Sequence, residues 1–373
     1  MHFRRKLALV VLCFFFTATV FAGTKDKPSK VLVETIPVDC NAGDLIMDAL
    51  SSEAVELTIE ISGLCFEDVI IRRSRVTLIG TDPAIDGIRA ALDEPGSNSA
   101  IEIQGANRIT IQNLSLGEAD FGIGMNSSFG LNLIDSVIDN TRFGVIIGTA
   151  SGSSTIRNTQ IVNTVTRGSL GIFVSNGSAV RCIECTIGNF SVGVSVRESS
   201  SINLQNSEIS QTRRAVDIST GSGLSTSCPG NSTGLSCLGN TMEGETIPGN
   251  LSSSGGIRLS DSSWANLTTG LDSISGRIEV LRKSVVSLTG TSQLSALFTN
   301  VLNGGSTLTG DSTTSLAGNY ELSEFSNTTL SAGATLSGSL ECSSGADAFC
   351  ANPENINGGS GSGSCGQCIL PSP

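Results

Sequence analysis

From residue 100 onward the chain repeats a short pattern, small–aliphatic–any–aliphatic, at nearly constant spacing. It reads Ala100-Ile101-Glu102-Ile103, Gly122-Ile123-Gly124-Met125 and Gly144-Val145-Ile146-Ile147. It continues as Gly171-Ile172-Phe173-Val174, Gly193-Val194-Ser195-Val196 and Ala215-Val216-Asp217-Ile218. The intervals from Ile101 to Val216 are 22, 22, 27, 22 and 22 residues, the long one carrying an insertion near Thr164 to Gly168. A second register runs beside the first. Ile111, Leu133, Ile156, Cys182 and Leu204 each stand two residues before a polar position: Asn113, Asp135, Asn158, Glu184 and Asn206. Three residues later an aliphatic returns, as Leu116, Ile138, Ile161, Ile187 and Ile209. Alternation of period two marks strands, and a polar residue between two of them marks a corner where Asn or Asp tolerates left-handed backbone. Self-similarity at this period is the signature of a solenoid, whose coils bury their apolar faces against each other.

The C-terminal half keeps the period with slimmer side chains. Leu267, Leu288, Leu308 and Leu330 recur at 21, 20 and 22 residues, and Leu259, Val280 and Leu322 stand eight before three of them. The expected fold is all-β: a single-stranded right-handed parallel β-helix over residues 55–345, with a short N-terminal capping helix. An open parallel edge invites pairing with other chains. Residues 23–54 are expected to cover it, with Leu45, Ile46, Ala49 and Leu50 on one face of a helix between Asn41 and Leu50. The Gly/Ser/Pro-rich stretch 221–250 reads as a disulfide-closed excursion, and 346–373 as a Gly/Ser/Cys-rich tail.

At the front, Arg4, Arg5 and Lys6 precede an apolar run from Leu7 to Val20, and Val20-Phe21-Ala22 offers small residues for cleavage. Residues 1–22 therefore read as a signal peptide, and the expected setting is secreted, periplasmic or extracellular. No later stretch is long and apolar enough for a membrane span. The whole chain carries a net charge of −12; without Arg4, Arg5 and Lys6, 19 basic residues face 34 acidic ones. So acidic a chain repels nucleic acid, which is excluded as a partner, and disfavours polyanions unless a local basic strip offsets its charge. His2, the sole histidine, leaves with the signal. Ten cysteines remain as close neighbours in the chain: Cys40/Cys65, Cys182/Cys185, Cys228/Cys237, Cys342/Cys350 and Cys365/Cys368. In an oxidising compartment disulfides are the expected reading, sequential pairing being one arrangement. A zinc site built from the two C-x-x-C pairs is the alternative. No cofactor is expected.

The run Asp39-Cys40-Asn41-Ala42-Gly43-Asp44, through Gly63-Leu64-Cys65 to Val76-Thr77-Leu78-Ile79-Gly80, resembles the opening of secreted bacterial β-helix proteins of the pectin-lyase-like superfamily. With the coils, the resemblance covers most of residues 38–345. It implies the fold and says little of function, because this fold hosts lyases, hydrolases, epimerases and adhesins. The catalytic sets of its enzymes do not map here. Hydrolases like polygalacturonase need paired aspartates, a histidine and an Arg-x-Lys segment. Pectate lyases gather acidic residues around calcium, with an arginine as base. Alginate-type chemistry wants histidine beside tyrosine, and Tyr320 is the only tyrosine.

The outward column of the best-defined strand reads Glu102, Gly124, Ile146, Phe173, Ser195 and Asp217, with its acids five coils apart. No catalytic residue and no metal ligand is assigned from it. The candidate binding residues are Ile146, Phe173 and Arg197, beside a glycine-lined strip from Gly122 to Gly193. Arg72, Arg73, Arg75, Arg213 and Arg214 either grip an anionic sugar or sit solvated at corners. Trp264 stacks on a sugar or packs. The expectation is an exported non-catalytic protein offering an extended face for binding or scaffolding, its partner a polysaccharide or cell-surface glycan. The alternative is a uronate-polymer lyase with an arginine base, whose mark is an acidic cluster near an arginine on one outward face.

Overall fold

The computed structural model describes residues 32–357 apart from short gaps, the longest at 92–97, 227–240 and 245–254. The signal assigned to 1–22 and the cysteines Cys228, Cys237, Cys365 and Cys368 lie outside the described residues. Within them the alternating aliphatics form short strands that stack in parallel, each coil turning through three faces. The first face is a 14-stranded ladder running from Val33–Asp39 to Asp347–Cys350. The second runs from Leu64–Phe66 to Ile356–Asn357, and the third from Val69–Ile71 to Leu340–Cys342. The architecture is the expected parallel β-helix.

Its core is a set of columns. Ile101, Ile123, Val145, Ile172, Val194 and Val216 are successive register partners on the third face, each 0% exposed. Burying each such side chain contributes about 1.5–3 kcal/mol. Parallel pairing places like residues over like, which is why a sequence repeat becomes a spatial column.

The corners are made by left-handed backbone. Asn113, Asp135, Asn158, Glu184 and Asn206 have φ of 53°, 49°, 44°, 56° and 46°, turning the chain from first to second face. Asn158 Nδ2 donates to Asp135 Oδ1 at 2.7 Å, one rung of a corner ladder. At the third corner two successive residues are left-handed, from Asn176/Gly177 to Glu324/Phe325. Behind that corner stands a buried serine in each coil. The Ser178 amide donates to Ser200 Oγ at 3.1 Å, Ser200 to Ser222 Oγ at 3.2 Å, and Ser263 to Ser284 Oγ at 3.2 Å. These hydroxyls satisfy amides that the bend removes from the strand ladders.

Four expectations are corrected. Leu308 does not stack on Leu288; it partners Val286, while Gly310 partners both Leu288 and Leu330. A Cβ at Gly310 would lie 2.9 Å from Leu330 Cδ2, so that leucine fills the space glycine leaves. The solenoid does not end at 345, because Asp347–Cys350 and Ile356–Asn357 still pair with the coil before them. Nor is 221–250 wholly an excursion: Gly223–Thr226 and Thr241–Gly244 are strands of the first and second faces. The cap is shorter than Asn41 to Leu50, consisting of a 3-10 turn at Cys40–Ala42 and a helix at Ile46–Ala49. Ile46 and Ala49 are buried, but Leu45 is exposed. Buried Glu67 fixes the helix start by accepting from the amides of Ile46 at 2.6 Å and Met47 at 3.1 Å, since the first helical amides have no partner of their own.

Cys40 is bonded to Cys65, tying the cap to the second face, and Cys182 to Cys185 across a first corner. Cys342 is also disulfide-bonded. The Cys182–Cys185 bond leaves neither sulfur as a thiolate for zinc. No helix among the described residues is long and apolar enough to cross a membrane.

Candidate functional site

The outward column of the third face is in the register expected from the sequence: Glu102, Gly124, Ile146, Phe173, Ser195, Asp217. It continues through Arg258, Glu279, Val301 and Glu321. Two zones follow along it, one apolar and one ionic.

The apolar zone holds Ile146 and Phe173, both half-buried. Beside them a second outward row begins with Phe121 and Phe143, whose rings stack at 5.1 Å with 11° between planes. Leu170 and Val192 extend that row in register. The guanidinium of Arg142 lies 5.1 Å from the Phe143 centroid, and that of Arg197 lies 5.9 Å from Phe173. Cations over aromatic faces are held by the ring quadrupole. The glycine between the rows is required where the chain bends into the third face. At Gly144 a Cβ would lie 2.4 Å from Ile161 Cγ2 and 2.5 Å from the Gly171 carbonyl. The insertion after Asn163 starts tied down, with the Thr164 amide and hydroxyl both bonded to Asp139, at 2.9 and 2.8 Å.

The ionic zone begins one coil further on. Arg197 Nη2 stands 3.5 Å and Arg214 Nη1 3.3 Å from the Asp217 carboxylate. In the next coils Arg258 Nε lies 3.6 Å and Arg277 Nε 3.3 Å from the Glu279 carboxylate. Arg258 is the register partner of both acids. Four guanidiniums thus surround two carboxylates, a local excess of positive charge on an acidic protein. The acids lie low, with side chains 13% and 18% exposed, while Arg197 at 48% and Arg258 at 38% face solvent. Between the two zones Ser195 is fully buried, and its hydroxyl has no hydrogen-bond partner.

The other predicted residues do not join this site. Arg72 donates to Gln104 at 3.0 Å, Arg75 pairs with Glu56 at 3.7 Å, and Arg73 holds the carbonyls of Ser52 and Ala54. These are structural ties. Tyr320 is buried with its hydroxyl unpartnered, and burial pushes its phenol far above the ordinary tyrosine range. Trp264 lies exposed on the first face. Among the described residues no group of three or more potential metal ligands gathers. Sequence reasoning missed Arg258, Arg277 and Glu279, because 227–254 interrupts the 22-residue period just before them. A usable signal is there, in Gly256-Ile257-Arg258-Leu259 and Ile278-Glu279-Val280.

Chemically, the zone can hold an anionic group against the outward guanidiniums while a sugar ring lies on Phe173. It is not arranged as a hydrolytic pair. Asp217 and Glu279 stand two coils apart, about 10 Å at the usual strand spacing, with Arg258 between them in register. Glycosidase carboxylates flank one bond across an open gap.

Comparison with known proteins adds the family. The family described as "Right handed beta helix region" matches residues 121–320. No curated protein matches the chain. Among solved structures, the chain is similar to an alginate lyase from Paenibacillus sp. str. FPU-7, at 13% identity and TM-score 0.35, covering 71% of this chain and 94% of that one. It is similar to the pectate lyase Pel9A at 10% identity and TM-score 0.42, covering 91% and 81%. It is also similar to the Streptococcus pneumoniae surface protein and adhesin PfbA, at 10% identity and TM-score 0.32, covering 82% and 94%. At these identities the likeness is one of fold.

Proposed function

The chain belongs to the right-handed β-helix family, and on that footing we propose an exported, non-catalytic binding protein whose third face holds an anionic polysaccharide or cell-surface glycan. The observation that carries this reading is the set of four arginines around Asp217 and Glu279, of which Arg197 also lies over Phe173. A carboxylate or sulfate on the glycan is drawn to Arg197 and Arg258, and bidentate guanidinium contacts give such binding its geometry. The acidic remainder of the chain keeps polyanions off the other faces. Export is supported by the leader-like residues 4–22 and by the bonded cysteines.

A uronate-polymer lyase with an arginine base is the second reading, favoured by one observation: Asp217 lies within ion-pair distance of both Arg197 and Arg214. Arginine, however, keeps its proton in proteins, and both carboxylates here lie within ion-pair distance of guanidiniums.

Glycan-array binding tests the proposal. Wild type is expected to select uronate-bearing or sulfated glycans, with affinity falling steeply as salt rises. The Arg197→Ala/Arg214→Ala double variant should bind them at least tenfold more weakly. Anionic binding unchanged in that variant, or absent from the wild type, overturns the reading.

A further inference from the structure

The first face carries a row that the third-face site does not use. From Thr58 to Thr329 the central outward position of each strand is Thr, Ser or Asn, with Arg181 the one exception. The rungs repeat at the strand spacing of ~4.8 Å, comparable to the length of one sugar unit in an extended polysaccharide. In the half nearer the C-terminus the row reads Asn203, Ser225, Asn266, Ser287, Thr309 and Thr329.

Three observations set this half apart. First, the six strands of this half, from Ser201–Gln205 to Asn327–Leu330, carry no charged residue, the charges Asp261, Arg282, Lys283 and Glu324 standing at the corner before them, whereas Glu56, Glu60, Arg75, Arg108 and Arg157 mark the other half. On a chain with net charge −12 a charge-free strip of six strands is a compositional exception. Second, among the described residues Asn266, Ser287 and Thr329 make no side-chain hydrogen bond to the protein. A row serving only to tie coils together would spend those groups on each other, as Asn203 and Ser225 do at 2.8 Å. Third, Trp264 stands on the strand of Asn266, 42% exposed, with its indole laid over Gly223 of the preceding coil. A Cβ at Gly223 would lie 2.1 Å from ring atoms Cε2 and Cζ2, so glycine is what admits the ring there. The ring therefore offers an apolar platform beside the polar side chains of Asn266, Ser287 and Thr329, the combination that recognises a sugar's apolar face and its hydroxyls together.

We propose that the first face between Asn203 and Thr329 is a second binding surface, for a neutral polysaccharide lying along the solenoid axis with one sugar ring on Trp264. With no charged residue on its strands this surface suits neutral glycans, whereas the arginines of the third face suit anionic ones.

The test incubates the purified full chain with insoluble cellulose, chitin and β-1,3-glucan and measures its depletion from solution. At least one polymer should retain the wild type. Trp264→Ala and Ser287→Lys/Thr309→Lys should each lower retention at least tenfold, and Asn266→Ala should lower it in the same direction. All of these side chains face outward, so unchanged melting temperatures verify that the variants fold. The Arg197→Ala/Arg214→Ala variant should be retained as the wild type is, which separates this surface from the third-face site. Retention by none of the polymers overturns the proposal. So does retention unaffected by Trp264→Ala, or retention lost in the arginine variant.

Discussion

Asp217 and Arg258 are register partners on adjacent coils of the third face, although the whole of 227–254 lies between them in the chain. A solenoid stacks by strand register, and lengthening the connection between two stacked strands adds little closure entropy. The column of outward residues therefore survives the interruption, and an ionic zone is assembled from both sides of it.

That column makes Arg258 a separator of like charges. Arg258→Glu would set three carboxylates in consecutive register, and like charges directly opposite destabilise a ladder by up to about 1 kcal/mol per pair. A melting temperature a few degrees lower is expected for Arg258→Glu, with Arg258→Met closer to wild type. Equal melting of all three proteins contradicts the Asp217–Arg258–Glu279 register.

Ser195 offers a change in the opposite direction. Its hydroxyl is buried and unpartnered, and an unsatisfied buried polar group costs about 1–3 kcal/mol. Ser195→Ala removes that cost with little loss of volume, so equal or higher stability is expected in denaturant titration. A loss of more than about 1 kcal/mol would mean the hydroxyl has a partner.

Asp86 is expected to contribute to the acid limb of stability. It is 2% exposed and accepts from the amides of Gly63 at 2.8 Å, Thr81 at 2.8 Å and Asp82 at 3.2 Å, and from Thr81 Oγ1 at 2.7 Å. Burial pushes its carboxyl upward, but these bonds together outweigh it and hold the group below its ordinary 3.8. Its contribution is therefore fully present above the unfolded value and is lost as pH falls through the lower folded one. Asp86→Asn should cost about 2 kcal/mol at neutral pH and flatten the acid limb below pH ~4. An unchanged acid limb would contradict the assignment.

Val145 tests the core column. It lies between Ile123 and Ile172 with no exposure. Val145→Asp strands a charge among aliphatics, and Ile172→Ala should cost about 2–5 kcal/mol through the cavity it leaves. Circular dichroism melts should show Val145→Asp unfolded or strongly destabilised. An unchanged melting temperature would place Val145 outside the core.

How much of this was legible in the chain follows from what each element depends on. The third-face column and the first corner were readable because each coil repeats an aliphatic–any–aliphatic triplet and one polar αL residue at fixed spacing. Asn113, Asp135 and Asn158 announce themselves among aliphatics. The serine ladder of Ser178, Ser200 and Ser222 was not readable, since serine is everywhere in this sequence and only position distinguishes these. The slim coils misled by two residues at Leu308, where a glycine takes the column position and a leucine sits beside it. The ionic zone was half visible. Asp217 and Arg197 stood in the readable coils, while Arg258, Arg277 and Glu279 follow an interruption that hides the period. The uncharged row of the first face does not stand out in sequence, because threonine, serine and asparagine on an outward strand face look like ordinary solvation.

Binding of anionic glycans without turnover is the central property proposed for the arginine-rich third face. The direct measurement is incubation of the purified chain with polygalacturonate and with alginate, with and without calcium, following unsaturated-uronate absorbance and reducing ends. The expected result is no turnover of either polymer, because Asp217 and Glu279 each lie within ion-pair distance of two guanidiniums and no histidine follows His2. Turnover abolished by a single substitution of Arg197, Arg214 or Asp217 would contradict that proposal and establish the lyase.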